Sequence, residues 1–102
     1  MRVSLSEQGD IYFLQIEGRL EIEKIKQLTT ELQTKFQNKN IVFCLEKLSF
    51  VGSCGIQKFF SDLEELQKNK VINASVKGLN RDFRLALSQR VNLFTELNIE
   101  PL

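Results

Sequence analysis

The sequence has no histidine, and its only thiols are those of two cysteines. Histidine is the commonest general base near neutral pH and the commonest metal ligand, so many enzymes and metal sites lose their usual central residue here. Cysteine, aspartate and glutamate do not gather at metal-ligand spacings either. We therefore predict a non-enzymatic protein with no catalytic residue, no metal site and no cofactor.

Long apolar runs and clusters of one charge are also absent. No stretch approaches the ~20 apolar residues of a membrane helix, and no signal peptide is evident. Lys and Arg are scattered and the net charge is +1, which disfavours nucleic acid and anionic membrane surfaces as partners. Two cysteines, Cys44 in a predicted buried strand and Cys54 beyond it, are typical of reduced cytosolic thiols. We predict a cytoplasmic protein without direct membrane insertion.

The chain has the composition of an ordinary soluble domain. Hydrophobic residues make up 42% and charged residues 26%, so a core can form without a disulfide or a metal. No linker, repeat or low-complexity stretch divides the sequence. We predict one domain over residues 1–102.

Apolar periodicity divides the chain into alternating strands and helices. Strands are predicted over residues 3–7, 11–16, 41–45 and 71–76, the third buried on both faces. A turn signal at residues 8–10 joins the first two as a hairpin. Helices are predicted over residues 21–37, 53–69 and 81–90, with a short tail at 97–102. The fold class is therefore α/β: a small four-stranded mixed sheet with an N-terminal β-hairpin and flanking helices.

Apolar spacing also assigns inward-facing residues to the first two helices. On the first helix, spacings of three and four predict an inward face made of Ile22, Ile25, Leu28, Leu32 and Phe36. On the second helix, Phe59 and Phe60 are adjacent, so they cannot share one direction. We expect one of the two to be exposed, where it would suit a protein interface.

The most informative segment is LEKLSFVGSCGIQKFF, residues 45–60. An apolar run breaks at the Gly52–Gly55 turn and then resumes with helical spacing, which predicts a strand, a tight turn and a helix. Ser53 and Cys54 would thus lie where free N–H groups and the positive end of a helix dipole point. Such a turn can hold a phosphate, a capping hydroxyl or an activated thiol.

Three segments carry a family resemblance. LSFVGSCGI resembles the Asp-Ser-Ser-Gly signature of STAS domains, the family of bacterial anti-sigma-factor antagonists. IEGRLEIEKIKQL resembles the family's Gly-Arg-Leu-Asp segment and its helix, and VINASVKGLN resembles its third core strand. The resemblance covers about residues 5–99 and implies the STAS fold, together with docking to a protein partner.

The resemblance places two substitutions at the family's switch. Cys54 occupies the position of the serine that a partner kinase phosphorylates, and Gly52 replaces the acidic residue of the motif. Ser53 and Gly55 are retained. A cysteine is no ordinary substrate for a serine kinase, so the resemblance implies docking more strongly than switching.

Several interpretations of these residues remain open. Cys54 is a small residue filling the serine's place, a docking residue that keeps the turn unphosphorylated, or a redox-sensitive thiolate. Ser53 is the N-cap of the second helix or an alternative phosphoacceptor.

The leading hypothesis for function is a non-enzymatic interaction module that resembles an anti-sigma-factor antagonist. Its implied partner is a histidine-kinase-like anti-sigma factor, a serine kinase. The predicted docking residues are Gly52, Ser53, Cys54, Gly55, Gln57 and Lys58. Two alternatives are a cytoplasmic STAS subunit of an ABC-type lipid transporter and a thiol redox protein using Cys54.

Overall fold

The computed structural model describes residues 1–49, 53–79 and 81–86, without the side chains of residues 53–55, 82, 83 and 86. The described strands are β1 (Arg2–Gln8), β2 (Ile11–Arg19), β3 (Asn40–Cys44), β4 (Leu48–Ser49) and β5 (Asn73–Lys77). The described helices are α1 (Ile22–Lys35), α2 (Ser53–Lys68) and α3 (Arg81–Ala86). The part of the third predicted helix beyond residue 86 and the predicted tail lie outside the described residues.

The sheet is mixed and has the strand order β1-β2-β3-β5. β1 and β2 form the predicted antiparallel hairpin, whereas β3 is parallel to both β2 and β5. Parallel neighbours need a crossover, and α1 and α2 supply these connections. The predicted α/β class with its hairpin and mixed sheet is confirmed.

β4 is a short strand in the apolar run before the predicted turn, where the sequence predicts a strand but not its bounds. It pairs in parallel with the end of β2, where Gly18 lies opposite Leu48 and Arg19 opposite Ser49. It follows β3 after the three residues 45–47. Two residues are too few to show the period-two alternation from which a strand is recognised.

β3 is fully buried on one face only. Ile41 and Phe43 are buried beneath the helices, whereas Val42 and Cys44 on the opposite face are half-buried. The prediction of a strand buried on both faces is therefore wrong. A continuous apolar run shows that burial is tolerated on both faces but does not ensure that a helix covers each of them.

Phe59 and Phe60 are both buried, so the expectation that one would be exposed is wrong. Their rings pack edge to face, with centroids 5.5 Å apart, and Phe59 also meets Phe43 of the sheet at 6.2 Å. α2 contacts both α1 and α3 as well as β5. Because neighbours lie on its sides as well as beneath it, α2 buries a sector wide enough for two adjacent phenylalanines.

Gly78 and Gly9 both have a left-handed backbone, but they differ in the space available for a side chain. Gly78, after β5, has φ of +74°, and a Cβ there would meet the side chain of Glu46. Gly9, in the hairpin turn, has φ of +61° but open space where a Cβ would project. Substitution at Gly78 should therefore add a steric cost to the backbone strain, whereas substitution at Gly9 should add strain alone.

We predict that Gly78→Ala lowers the free energy of unfolding by about 2–3 kcal/mol and that Gly9→Ala lowers it by about 1 kcal/mol. Urea denaturation followed by circular dichroism would measure both values. Equal losses for the two variants would show that Glu46 moves aside at no cost.

Candidate protein-docking site

The segment that leads into the predicted turn is held against the end of β2. The Gly18 N–H donates a 3.0 Å hydrogen bond to the carbonyl of Lys47, just before the β2–β4 pairing begins. Gly18 has φ of +83°, a conformation that favours glycine. Leu48 is 3% exposed and anchors the short strand in the core. These contacts fix the chain three residues before Gly52.

α2 begins at Ser53, as the apolar spacing predicts. Gly52 lies outside the described residues, as do the side chains of Ser53 and Cys54, so the N-cap role of Ser53 stays a prediction. The first turn of α2 carries no acidic residue. The positive end of the helix dipole is thus not offset by a carboxylate within this turn.

The two remaining predicted docking residues lie on the solvent side of α2. Gln57 and Lys58 are exposed, whereas the neighbouring Ile56 and Phe59 are buried. Lys58 Nζ pairs with Asp62 Oδ1 at 3.2 Å, one helical turn along. By helical spacing, positions 54, 57 and 58 share one face. The structure therefore places Gln57 and Lys58 directly beyond the segment that resembles the switch.

The start of α1 lies at the same end of the sheet as the start of α2. β2 and β4 are parallel neighbours, so their carboxyl ends meet at one edge, and each leads into a helix. Arg19 is exposed there, and Ile22, in the first turn of α1, is 53% exposed. The prediction that Ile22 faces inward is wrong, because the first turn of α1 extends beyond the residues that bury the rest of its apolar face.

A small polar cluster lies beside Ile22. Glu21 Oε2 accepts from Lys24 Nζ at 3.1 Å and from the Met1 amine at 3.2 Å. The hydrogen bond from Lys24, then that from the amine, and the positive charges of both groups lower the pKa of the Glu21 carboxyl. The cluster is solvent-exposed, so its ion pairs contribute little to stability and do not form a buried charged site.

The two cysteines belong to different parts of the fold. Cys44 is half-buried on the sheet face opposite the helices, whereas Cys54 belongs to the first turn of α2. Phe43, one residue before Cys44, points to the α2 side through its contact with Phe59. Since Cys44 faces the other way, it is poorly placed to resolve an oxidised Cys54.

Among the described residues, no three His, Cys, Asp or Glu side chains gather as metal ligands would. None of the described helices is both long and apolar enough to cross a membrane.

Comparison with known proteins identifies the architecture. A model of the STAS domain family matches residues 2–96. No functionally curated protein matches the chain. The solved structures that resemble it include one entitled "Structure of the Anti-Sigma Factor Antagonist SpoIIAA in its Unphosphorylated Form". That match has a TM-score of 0.67 and 18% sequence identity, and it covers 98% of this chain and 89% of the other.

The anchoring of β4 can be tested by a matched pair of substitutions. We predict that Leu48→Ala lowers the free energy of unfolding by about 2–4 kcal/mol, because it removes buried methyl groups and leaves a cavity. The exposed neighbour Ser49→Ala should change it by less than about 0.5 kcal/mol. Urea titration would measure both, and a loss below about 1 kcal/mol for Leu48→Ala would contradict the anchoring role.

Proposed function

The chain belongs to the STAS domain family, and from this premise we propose that it acts as an anti-sigma-factor antagonist. In this proposal it is a protein-interaction module without catalytic activity. It binds a histidine-kinase-like anti-sigma factor through the Gly52–Gly55 turn and the exposed side of α2. The observation that carries the proposal is the start of α2 at Ser53, at the switch-like segment, followed by exposed Gln57 and Lys58.

The electrostatics of the turn favour docking in its unmodified form. Residues 52–55 carry no formal charge, and the helix that starts there presents a partial positive charge. A partner's carbonyl or carboxylate oxygens would therefore meet no like charge within residues 52–55, although Glu21 and Glu23 lie at the start of α1, at the same end of the sheet. Exposed Arg19 adds positive charge around the same end of the fold, whereas the charge of exposed Lys58 is paired with that of Asp62.

The replacement at position 54 changes how such a module would be regulated. A phosphate would add about −1.5 to −2 charges to the turn at pH 7, which would repel the partner or require its desolvation. A thiol does not accept phosphate from a serine kinase as a hydroxyl does. We propose that this chain stays competent to dock rather than being switched off at the usual site.

A charge placed at position 54 should mimic the missing phosphate. We predict that tagged wild-type protein and unphosphorylated Cys54→Ser recover a histidine-kinase-like anti-sigma factor from an ATP-depleted lysate of the source organism, whereas Cys54→Asp recovers at least tenfold less. Quantitative mass spectrometry of the bound proteins would measure this. Gln8→Glu is the control, because it adds the same charge opposite Ile11 at the start of β2, about 24 Å along the strand from Gly18.

The outcome also separates the competing functions. Equal recovery by Cys54→Asp and wild type would remove the turn from the interface. Recovery of ABC-transporter subunits in place of a kinase-like ATPase would replace the sigma-factor proposal with the transporter alternative. A protein that is joined to Cys54 by a mixed disulfide, and is released from the tagged chain only by a reductant, would instead support the redox alternative.

Restoring the hydroxyl should restore the phosphoacceptor. We predict that the recovered kinase with ATP phosphorylates Cys54→Ser at residue 54 but leaves the wild type unmodified. Phosphopeptide mass spectrometry would identify the residue, with Cys54→Ala as the control that lacks the hydroxyl. Phosphate on Ser53 of the wild type would contradict the proposal of an unswitched module.

A further inference from the structure

β1 leaves one edge of the sheet open. It is the terminal strand in the order β1-β2-β3-β5, and among the described elements only β2 pairs with it. All seven of its residues are exposed. An exposed edge strand offers unpaired N–H and C=O groups, which act as a template for another strand.

The hairpin register identifies which backbone groups face the open edge. Gln8 pairs with Ile11 across the two-residue turn of Gly9 and Asp10. In such hairpins the pair that flanks the turn is hydrogen-bonded, and hydrogen-bonded pairs then alternate along the strands. Residues 8, 6, 4 and 2 therefore direct their backbone groups towards β2. The odd-numbered residues 3, 5 and 7 direct theirs outward.

The side chains of these edge residues add an apolar surface. Val3 and Leu5 are 42% and 49% exposed, and they share the sheet face that carries the helices. They form one wall of a groove of about 270 Å³, which continues onto α1. The opposite wall is contributed by Leu28, Glu31, Leu32 and Phe36. An occupant of this site thus needs a strand with apolar residues at alternate positions.

We propose that the occupant is β1 of a second copy of this chain. The two β1 strands pair antiparallel about a two-fold axis perpendicular to the sheet, which extends the sheet across both copies. In the register that we propose, Val3 lies opposite the second copy's Leu5, and Ser4 lies opposite the second copy's Ser4. The apolar side chains then cover each other at the mouths of the two grooves.

The side chains of β1 favour this register over its neighbours. Val3 and Leu5 meet only apolar residues, and Arg2 lies opposite the second copy's Ser6, so no like charges oppose. A shift by two residues in one direction would place Val3 opposite Glu7. The same shift in the other direction would shorten the overlap of the strands and lose backbone hydrogen bonds.

A single strand pair buries less than the ~800 Å² per partner of a standard interface, so the dimer should be weak. Sedimentation velocity from about 10 μM to about 1 mM would cover the range in which such an interface associates. We expect the wild type to shift from monomer to dimer across this range.

Cysteine cross-linking tests the register directly. In a background with Cys44→Ala and Cys54→Ser, we expect Ser4→Cys to form a disulfide-linked dimer on mild oxidation. Its Cα would lie about 4.5 Å from that of the second copy's residue 4, within the range of a disulfide. Ser6→Cys is the matched control on the same strand, since its symmetry mate would lie about 14 Å away, and it should stay monomeric.

A charge on the apolar edge provides a second readout. Leu5→Lys should raise the dimer dissociation constant at least tenfold, because it places a cation against the second copy's Val3. Gln33→Lys adds the same charge on α1 near Asp62 and Glu65, away from the groove, and should leave the constant unchanged. Circular dichroism would confirm that both variants fold.

Three outcomes would overturn the proposal. The first is a wild type that stays monomeric across the whole concentration range. The second is a dimer that Leu5→Lys does not weaken. The third is equal cross-linking of Ser4→Cys and Ser6→Cys. A partner protein is the alternative occupant of this edge. If the wild type stays monomeric, and tagged Leu5→Lys fails to recover a protein that the tagged wild type recovers, then that protein occupies the edge and the self-association proposal is wrong.

Discussion

The parallel pairing of β4 with the end of β2 is the constraint on which the candidate site depends. It is only two residues long, yet it fixes where the chain leaves the sheet before α2 begins. On the β2 side of the pairing, Gly18 has a left-handed backbone, and on the β4 side, the buried side chain of Leu48 anchors the strand in the core. Because β2 leads into α1 at the same edge, this pairing also brings Arg19 and Ile22 to the end of the sheet that carries the start of α2. A surface made of two helix starts is thus built from one short strand pair.

The proposed self-association edge and the proposed docking site do not compete for space. The edge is the outer side of β1, whereas the docking site lies at the carboxyl end of β2 and β4. A two-fold axis perpendicular to the sheet would make the β2 strands of the two copies antiparallel. The two docking sites would then lie at opposite ends of the dimer, and both would stay accessible. If the partner were itself dimeric, such a pair of sites would raise the overall affinity without any new contact, provided that the geometry allows simultaneous binding.

The sequence predicted the fold well because its main signals are local and periodic. Alternating residues in β1, branched and aromatic residues in β2, the glycine-containing turn and the apolar spacing of α1 and α2 each report the structure of their own segment. The features that it missed depend on neighbours far along the chain. The burial of both Phe59 and Phe60 follows from the position of α2 between α1 and α3. The exposure of Ile22 follows from the place where the first turn of α1 leaves the sheet. Within the candidate site, the exposure of Gln57 and Lys58 agrees with the helical pattern, whereas the roles of Ser53 and Cys54 depend on a partner and stay predictions.

The regulatory consequence of position 54 rests on a small chemical difference. Serine and cysteine have similar shapes, so either can occupy a tight turn at a helix start with little change in packing. They differ in the reaction that adds charge, since the hydroxyl accepts a phosphate and the thiol responds to oxidants instead. We propose that Ser53 does not replace this acceptor, because one residue along a helix rotates a side chain by about 100°. A partner kinase would position its substrate hydroxyl within the docked complex. At position 53 the hydroxyl would project in a different direction, and at position 54 a sulfur atom would replace the hydroxyl oxygen. Under the proposed function, this chain keeps the surface that binds the partner and loses the reaction that would release it.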